Sequence, residues 1–586
     1  MIERFREAKL GYFIIPIYVM ALYIGTISSY IKFNNRILPS GDPFSYTLGF
    51  FRILDVARNN YLDGLLFALQ SNFYWLINLM VAIFSPILVK EPVSISVINF
   101  IAWGIASASF YRLGLHLKLG FKFSLFFSLI IWIYPINFGF LDHSSIPVLA
   151  LDAMFLGFLH IALANTIIFS IEPKSYKNML IAAISIGLSI WGRGNSAPVV
   201  FLVVFIPLLV LIYKMFTKDS NRRITTNLIL FATIISAMGF IYYYMQYAPI
   251  KLYYSAQKDF VERHAWNLRD ALPFLVNVPG FFFWRVENSI ATIGLSILMH
   301  LLVISSLLIN IRKISFPPKD HIAFLSVIGG FIYFATYFIS ILLFTDPLIT
   351  LHNCLLIYAP MRIGLSLCLM TIIISTVQRF NIEIKNVVVY GCVIFIIYCG
   401  ATLSRKLTPE VTAESLKPSE VEAFSIKLGD MVHSGGVSIL WYSNYNPKII
   451  NYFRRKNNLP EIQIYSGKYY NDLWAPLGYT EEKRLHVREE IVAHFENADL
   501  IIIPEYLDYY DRNAPYPLYR FKDEILKYLN STEAPRFAVR MIIQENVGRR
   551  LLVLQRAGAS DGAGELLKLP YLKSKLAIDN EREASR

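Results

Sequence analysis

The sequence predicts a polytopic α-helical membrane protein with about eleven transmembrane helices and a C-terminal α/β domain outside the membrane. Hydrophobic residues make up 55% of the 586 residues, whereas charged residues make up only 17%. Many apolar runs reach the roughly 20 residues that a helix needs to cross a bilayer. After residue 403 the pattern changes to short β-like runs that alternate with helical segments.

The apolar segments can be placed in order along the chain. The first one is long and lacks a small-residue cleavage pattern, so we expect a membrane anchor rather than a cleaved signal. The predicted spans are 11–30, 93–111, 123–140, 147–169, 178–192, 197–213, 224–246, 286–311, 322–345, 353–377 and 386–403.

Positive charge in the connecting loops predicts the orientation. One alternating set of loops comprises 112–122, 172–177, 214–223, 312–319 and 379–385. These loops hold fourteen Lys and Arg residues. The opposite set comprises the loops 141–146, 193–196, 247–285 and 346–352. These loops hold six Lys and Arg residues. Because short cytoplasmic loops carry an excess of Lys and Arg, we expect the first set and the basic N-terminus to be cytoplasmic.

One further apolar run, Phe73–Val89, is ambiguous. The N-terminus and the first set of loops lie on the same side only if this run does not cross the membrane. We therefore expect it to lie in the interface or to re-enter, and a plain transmembrane hairpin is the alternative. Residues 31–92 then form a long first external loop with amphipathic helices, and residues 404–586 also lie outside.

The C-terminal part predicts a small α/β domain because β-like and helix-like segments alternate in it. The β-like runs are Val437–Tyr442, Ile462–Gly467, Asp499–Glu505, Phe537–Glu545 and Arg550–Arg556, and the helix-like segments include Glu481–Glu496 and Tyr519–Leu529. We find no Gly-rich phosphate loop, metal-ligand spacing or nucleophile elbow in this part. The predicted domains are 1–403 in the membrane and 404–556 outside it, followed by a disordered tail at 557–586.

Ionisable groups at the predicted outer face are candidate functional residues, because such groups are costly at membrane depth. Three of the candidates are acids, and the other four are cations. They are Asp42, Asp142 and Asp152, and Arg193, Lys251, His352 and Arg362. Each has an ordinary structural alternative, such as a turn former or helix cap for Asp42 and Asp142, or an interfacial anchor for Arg193.

The two groups of candidates suit one kind of substrate. Cations bind a phosphate or pyrophosphate, and a carboxylate can act as the general base for an acceptor hydroxyl or amine. A lipid-linked sugar phosphate needs both, since its phosphate lies at the head-group plane and its sugar points outward. This interpretation requires no cofactor and leaves open whether a divalent metal takes part. We expect no nucleic-acid partner, because the net charge of +13 is typical of the loops of a membrane protein.

Over roughly residues 10–400 the chain resembles the GT-C superfamily of integral-membrane glycosyltransferases. It is most similar to the branch of protein O-mannosyltransferases and lipid A aminoarabinose transferases. The resemblance lies in a series of segments, which are SGDPFSYTLGFFR, NFYWLINLMVAIFSPIL, ASASFYRLGLHLKLGFK, IIWIYPINFGF, LDHSSIPVLALDAMFLGF, IGLSIWGRGNSAP and LHNCLLIYAPMRIGL. In that family the first segment carries an acid in the first external loop, and the second forms juxtamembrane helices.

The resemblance implies an inverting glycosyltransferase that uses a polyprenyl-phosphate sugar donor on the outer face of a bacterial inner membrane. Asp42 would be the base, Asp142 or Asp152 would assist, and the four cations would hold the donor phosphate. The acceptor would be a glycan, lipid or protein of the cell envelope. Relatives usually carry Asp-Glu where this chain has Asp42-Pro43, so the subfamily stays open. The rival hypotheses are a surface-polysaccharide polymerase or ligase and a non-enzymatic transporter of lipid-linked glycan.

Overall fold

The structure is a computed structural model. It describes residues 2–33, 42–70, 75–132, 134, 151–193, 196–217, 222–247, 251, 290–315, 317–343, 347–377, 390–391, 393–394, 398, 418–432, 436–439, 447–465, 496–504, 537–546 and 549–556. By its contacts the chain divides into two units. The first comprises Met1–Ile31 and Arg52–Pro409, and the second comprises Lys32–Phe51 and Glu410–Arg586.

The first unit is helical in its described parts. Its helices are α1 (Ile2–Phe33), α2 (Asp42–Asn59), α3 (Tyr61–Gln70), α4 (Trp75–Phe84), α5 (Pro92–His116), α6 (Gly120–Leu129), α7 (Leu151–Ile171), α8 (Tyr176–Ile190), α9 (Ser196–Phe216), α10 (Arg222–Met245), α11 (Ile290–Asn310), α12 (His321–Leu343) and α13 (Pro347–Val377). The end of α1 and the start of α2 fall in the second unit.

Eight helices among the described residues are long and apolar enough to cross a membrane, so the membrane class that the sequence predicts is confirmed. The predicted count of about eleven is not confirmed. The predicted spans 123–140 and 178–192 correspond to the shorter apolar helices Gly120–Trp132 and Tyr176–Ile190. Span 386–403 lies almost wholly outside the described residues.

Three short helices, α2, α3 and α4, lie between the first two long spans. Helix α4 has ten residues, all within the ambiguous run Phe73–Val89. A helix of that length rises about 15 Å, roughly half the hydrocarbon thickness of a bilayer. This length agrees with the prediction that the run does not cross.

Glycines and hydroxyl side chains lie where α11, α12 and α13 of the first unit contact one another. Gly329 of α12 and Gly364 of α13 lie back to back, and a Cβ added at Gly329 would be 2.8 Å from the Gly364 carbonyl oxygen. The Ser306 hydroxyl of α11 is within hydrogen-bond distance of Ser326 Oγ at 2.7 Å and Thr371 Oγ1 at 2.6 Å. Close backbone approach and interhelical hydrogen bonds hold helices together in membranes, where apolar burial does not.

The second unit contains a mixed five-stranded sheet. Its elements are α14 (Pro418–Met431), β1 (Gly436–Ile439), α15 (Pro447–Lys456), β2 (Ile464–Tyr465), β3 (Ala498–Pro504), β4 (Phe537–Asn546) and β5 (Arg549–Arg556). The strand order is β2-β1-β3-β5-β4, with β2, β1 and β3 parallel and β5 antiparallel to both of its neighbours. Each of the five predicted β-like runs overlaps one of the five strands, so the α/β class is confirmed.

Some predictions about the second unit concern residues outside the described set. Both predicted helix-like segments lie there, apart from Glu496. The tail at 557–586 lies there as well. The domain boundaries at 403 and 556 stay predictions.

Candidate active site

Helix α2 begins at Asp42, the acid that the sequence singles out as a base. Pro43 follows it, and proline suits the first turn of a helix because the amide hydrogen it lacks would be unpaired there anyway. Further along α2, one face is buried at Thr47, Leu48, Phe50, Phe51, Ile53, Leu54 and Ala57. This spacing is that of one face of an α-helix. The candidate acid therefore starts an amphipathic helix, although the side chain of Asp42 itself is outside the described set.

The second half of α2 is tied to the segment that enters α5. Lys90 Nζ lies 2.5 Å from Asp55 Oδ1, and the Lys90 side chain is only 8% exposed. One turn later, Arg58 Nη2 donates a hydrogen bond to the Leu88 carbonyl oxygen at 2.9 Å. These contacts fix the direction of the helix that begins at Asp42.

We expect Lys90→Ala to destabilise the protein by about 1–2 kcal/mol, because it leaves the half-buried Asp55 carboxylate without its ammonium partner. Thermal unfolding of the full chain in detergent measures the loss. Asp55→Ala added to Lys90→Ala should cost little more, since the pair is already broken. Additive losses from the two substitutions would show that the ion pair contributes nothing.

Helix α4 packs on the turn that carries Arg193. The Leu76 amide donates to the Trp191 carbonyl oxygen at 3.3 Å, and the Trp75 and Trp191 rings meet edge to face at 5.6 Å. The Trp75 ring also lies 5.4 Å from that of Tyr242 on α10, and Trp191 Nε1 donates to the Met238 carbonyl oxygen at 2.9 Å. The structure thus brings the juxtamembrane segment and the predicted third external turn together.

Arg193 lies at the end of that turn and is half-buried. Its carbonyl oxygen accepts hydrogen bonds from the Ser196 amide at 3.1 Å and from Ser196 Oγ at 2.6 Å. The tight turn also needs Gly192, because a Cβ there would lie 2.9 Å from the Phe155 ring. The backbone of Arg193 is therefore held in a defined turn, two residues after the Trp191 that contacts α4.

Arg362 is placed differently, within the helix bundle. Its side chain is 4% exposed. The Tyr134 hydroxyl donates to the Arg362 carbonyl oxygen at 3.1 Å and lies 2.7 Å from Ser366 Oγ. Around it is a core that includes Met361, Leu365 and Tyr333. An ionisable group is costly at membrane depth, so this buried arginine is a candidate functional residue.

The remaining candidates are less well defined. Asp152 is the second residue of α7, and His352 lies near the start of α13, but the side chains of both are outside the described set. Asp142 lies outside the described residues altogether. Lys251 is exposed, with its ammonium 5.9 Å from the centre of the Tyr247 ring.

Within the described parts, no three His, Cys, Asp or Glu side chains are grouped so that they would hold a metal ion.

Sequence reasoning missed the two contacts that organise this region. Lys90 had one available signal, since it is a basic residue in a loop predicted to be external. The Trp75–Trp191 contact had none, because nothing in a single sequence pairs two tryptophans more than a hundred positions apart.

Comparison with solved structures identifies the fold. The chain is similar to the crystal structure of ArnT from Cupriavidus metallidurans bound to undecaprenyl phosphate, with a TM-score of 0.51 and 9% identity. The similarity covers 91% of this chain and 97% of that one. The apo form of the same protein is also similar, with a TM-score of 0.40, 10% identity and the same coverage. No family model and no curated protein matches the sequence.

Proposed function

We propose that this chain, which has the GT-C membrane fold, is a glycosyltransferase that uses a sugar donor carried on a polyprenyl phosphate. One observation carries the proposal, namely the similarity over 91% of the chain to a protein whose structure holds undecaprenyl phosphate. Its acceptor is a glycan, lipid or protein of the cell envelope. Its site is the outer face of a bacterial inner membrane, with the N-terminus cytoplasmic and the C-terminal domain outside.

The reaction is a single displacement at the anomeric carbon. The Asp42 carboxylate takes the proton of the acceptor hydroxyl or amine as the acceptor attacks, and the polyprenyl phosphate leaves from the opposite face. The configuration at the anomeric carbon is therefore inverted. Asp142 or Asp152 orients the acceptor.

The leaving phosphate needs positive charge. Charge-assisted hydrogen bonds from guanidinium and ammonium groups stabilise it more strongly than neutral donors do. The contacts of its turn with the juxtamembrane helix α4 support Arg193 for this role. Lys251, His352 and Arg362 are the other cations proposed for this role.

The test is binding of undecaprenyl phosphate to the purified full chain in lipid nanodiscs. We expect saturable binding that phosphatidylglycerol, a phosphate lipid without the polyprenyl chain, does not compete. Arg193→Ala should weaken this binding about tenfold, as expected for the loss of one charge-assisted contact to phosphate. Lys174→Ala is the matched control, because it removes an exposed charge from a loop predicted to be cytoplasmic.

Two outcomes would count against the proposal. If phosphatidylglycerol competes away the binding of undecaprenyl phosphate, the chain has no site specific for a polyprenyl phosphate. Equal weakening by Lys174→Ala and Arg193→Ala would mean that net charge, and not Arg193, attracts the lipid.

A further inference from the structure

Helix α2 belongs to both units of the chain. It is continuous from Asp42 to Asn59. Its residues up to Phe51 group with the C-terminal unit, and its residues from Arg52 group with the membrane unit. The end of α2 that bears the proposed base is therefore held by residues distant in sequence.

The contact within the second unit is an aromatic stack. The rings of Phe51 and Tyr452 lie 5.5 Å apart with an angle of 25° between their planes. Phe51 is fully buried, and Tyr452 on α15 is 4% exposed. A buried stack of this kind fixes both the distance and the orientation of the two rings.

Tyr452 stands on a rigid support, because hydrogen bonds hold the residues on either side of it. Asn451 Nδ2 donates to the Ile462 carbonyl oxygen at 3.1 Å, and the Ile462 amide returns a bond to Asn451 Oδ1 at 2.9 Å. Arg454 Nη1 donates to the carbonyl oxygens of Ser425 at 3.1 Å and Ile426 at 3.3 Å in α14.

Gly429 completes the support beneath Arg454. A Cβ at Gly429 would lie 2.3 Å from Arg454 Nη1, so the guanidinium lies flat on the bare backbone of α14. Burial lowers the pKa of Arg454 from its usual value, and nearby Asp430 acts in the opposite direction. An arginine held this closely connects α14 and α15 into one body.

We propose that the C-terminal unit positions the helix that begins at Asp42, and that Phe51 and Tyr452 are the positioning residues. This inference rests on the proposed role of Asp42 as the base. It gives the α/β unit a task that its sequence motifs do not suggest. A catalytic group must be held within a fraction of an ångström of its productive position, and a displacement of about 1 Å costs on the order of 100-fold in rate.

Hydrogen–deuterium exchange of the full chain in nanodiscs tests directly whether the Phe51–Tyr452 stack holds the first half of α2. In Tyr452→Ala, the amides of residues 47–51 should exchange about tenfold faster, because the stack no longer opposes local opening. Tyr452→Phe keeps the ring and should keep the wild-type protection of these amides. Unchanged exchange at residues 47–51 in Tyr452→Ala would overturn the proposal.

Ile450→Ala is the matched control, since Ile450 is fully buried in the same helix α15 and is aliphatic. It should speed exchange within α14 and α15 while residues 47–51 stay close to wild type. If Ile450→Ala speeds amide exchange at residues 47–51 as much as Tyr452→Ala does, general instability of the unit explains the effect. The positioning role of Tyr452 is then rejected.

The consequence for activity is measured separately. In a deletion strain complemented with each variant, Tyr452→Ala should restore at least about tenfold less glycan than Tyr452→Phe, with undecaprenyl phosphate binding unchanged. Faster exchange with full glycan transfer would overturn the positioning role. Full glycan transfer by Asp42→Asn would instead reject Asp42 as the base. The exchange result would then still show that Tyr452 holds the first half of α2, but not that this matters for catalysis.

Discussion

Asp42→Asn is expected to lower glycan transfer by about 10²–10⁴-fold, the usual contribution of a general base. Asparagine has nearly the same shape as aspartate and can still cap the helix N-terminus, so α2 should form as before. It cannot accept the proton of the attacking hydroxyl or amine. The measurement is the amount of glycan restored when the variant is expressed in a deletion strain, normalised to the protein present in the membrane.

Asp63→Asn is the matched control for this prediction. Asp63 lies exposed in the first turn of α3, in the same predicted external loop, and its removal changes the charge equally. It should transfer glycan at the wild-type rate. Near wild-type transfer by Asp42→Asn would reject Asp42 as the catalytic base.

Gly364→Ala is expected to destabilise the membrane unit by about 3 kcal/mol and to lower its unfolding temperature by on the order of 5 °C. The added Cβ would lie 2.6 Å from the Gly329 carbonyl oxygen and 2.7 Å from the Tyr333 amide nitrogen. Both of these are backbone atoms of α12, so no side chain can rotate away. The two helices must separate, and α13 carries both Arg362 and Ser366 with it.

Gly294→Ala serves as the control for the overpacking. Gly294 lies within α11 and is exposed, and a Cβ there meets nothing within 4 Å. Because alanine is the better helix former by about 1 kcal/mol, this change should be neutral or slightly stabilising. Thermal unfolding in one detergent compares the two variants, and equal effects would show that helix propensity, not contact, governs both.

The features predicted well from sequence are those that local pattern determines. Short β-like runs marked all five strands of the C-terminal unit, and continuous apolar runs marked the long helices. Charge in the loops predicts that Phe73–Val89 does not cross, and this stays a prediction, with which the ten-residue α4 is compatible. Asp42 was singled out by its place after the first span, which is also where α2 begins.

The features that were missed depend on pairing across long separations. Lys90 meets Asp55, and Phe51 meets Tyr452, some four hundred positions further along. A single sequence gives the character of each residue but not its partner. The helices α14 and α15 were missed for a related reason, since both are short and their stability comes from contacts such as Arg454 on Gly429.

The hydrogen bond from the Leu76 amide to the Trp191 carbonyl oxygen has a mechanical consequence. The two indole rings are in edge-to-face contact beside it, so a backbone hydrogen bond and a ring contact both connect α4 to the turn before Arg193. A shift of that turn is therefore expected to reach α4 through the backbone as well as through side chains.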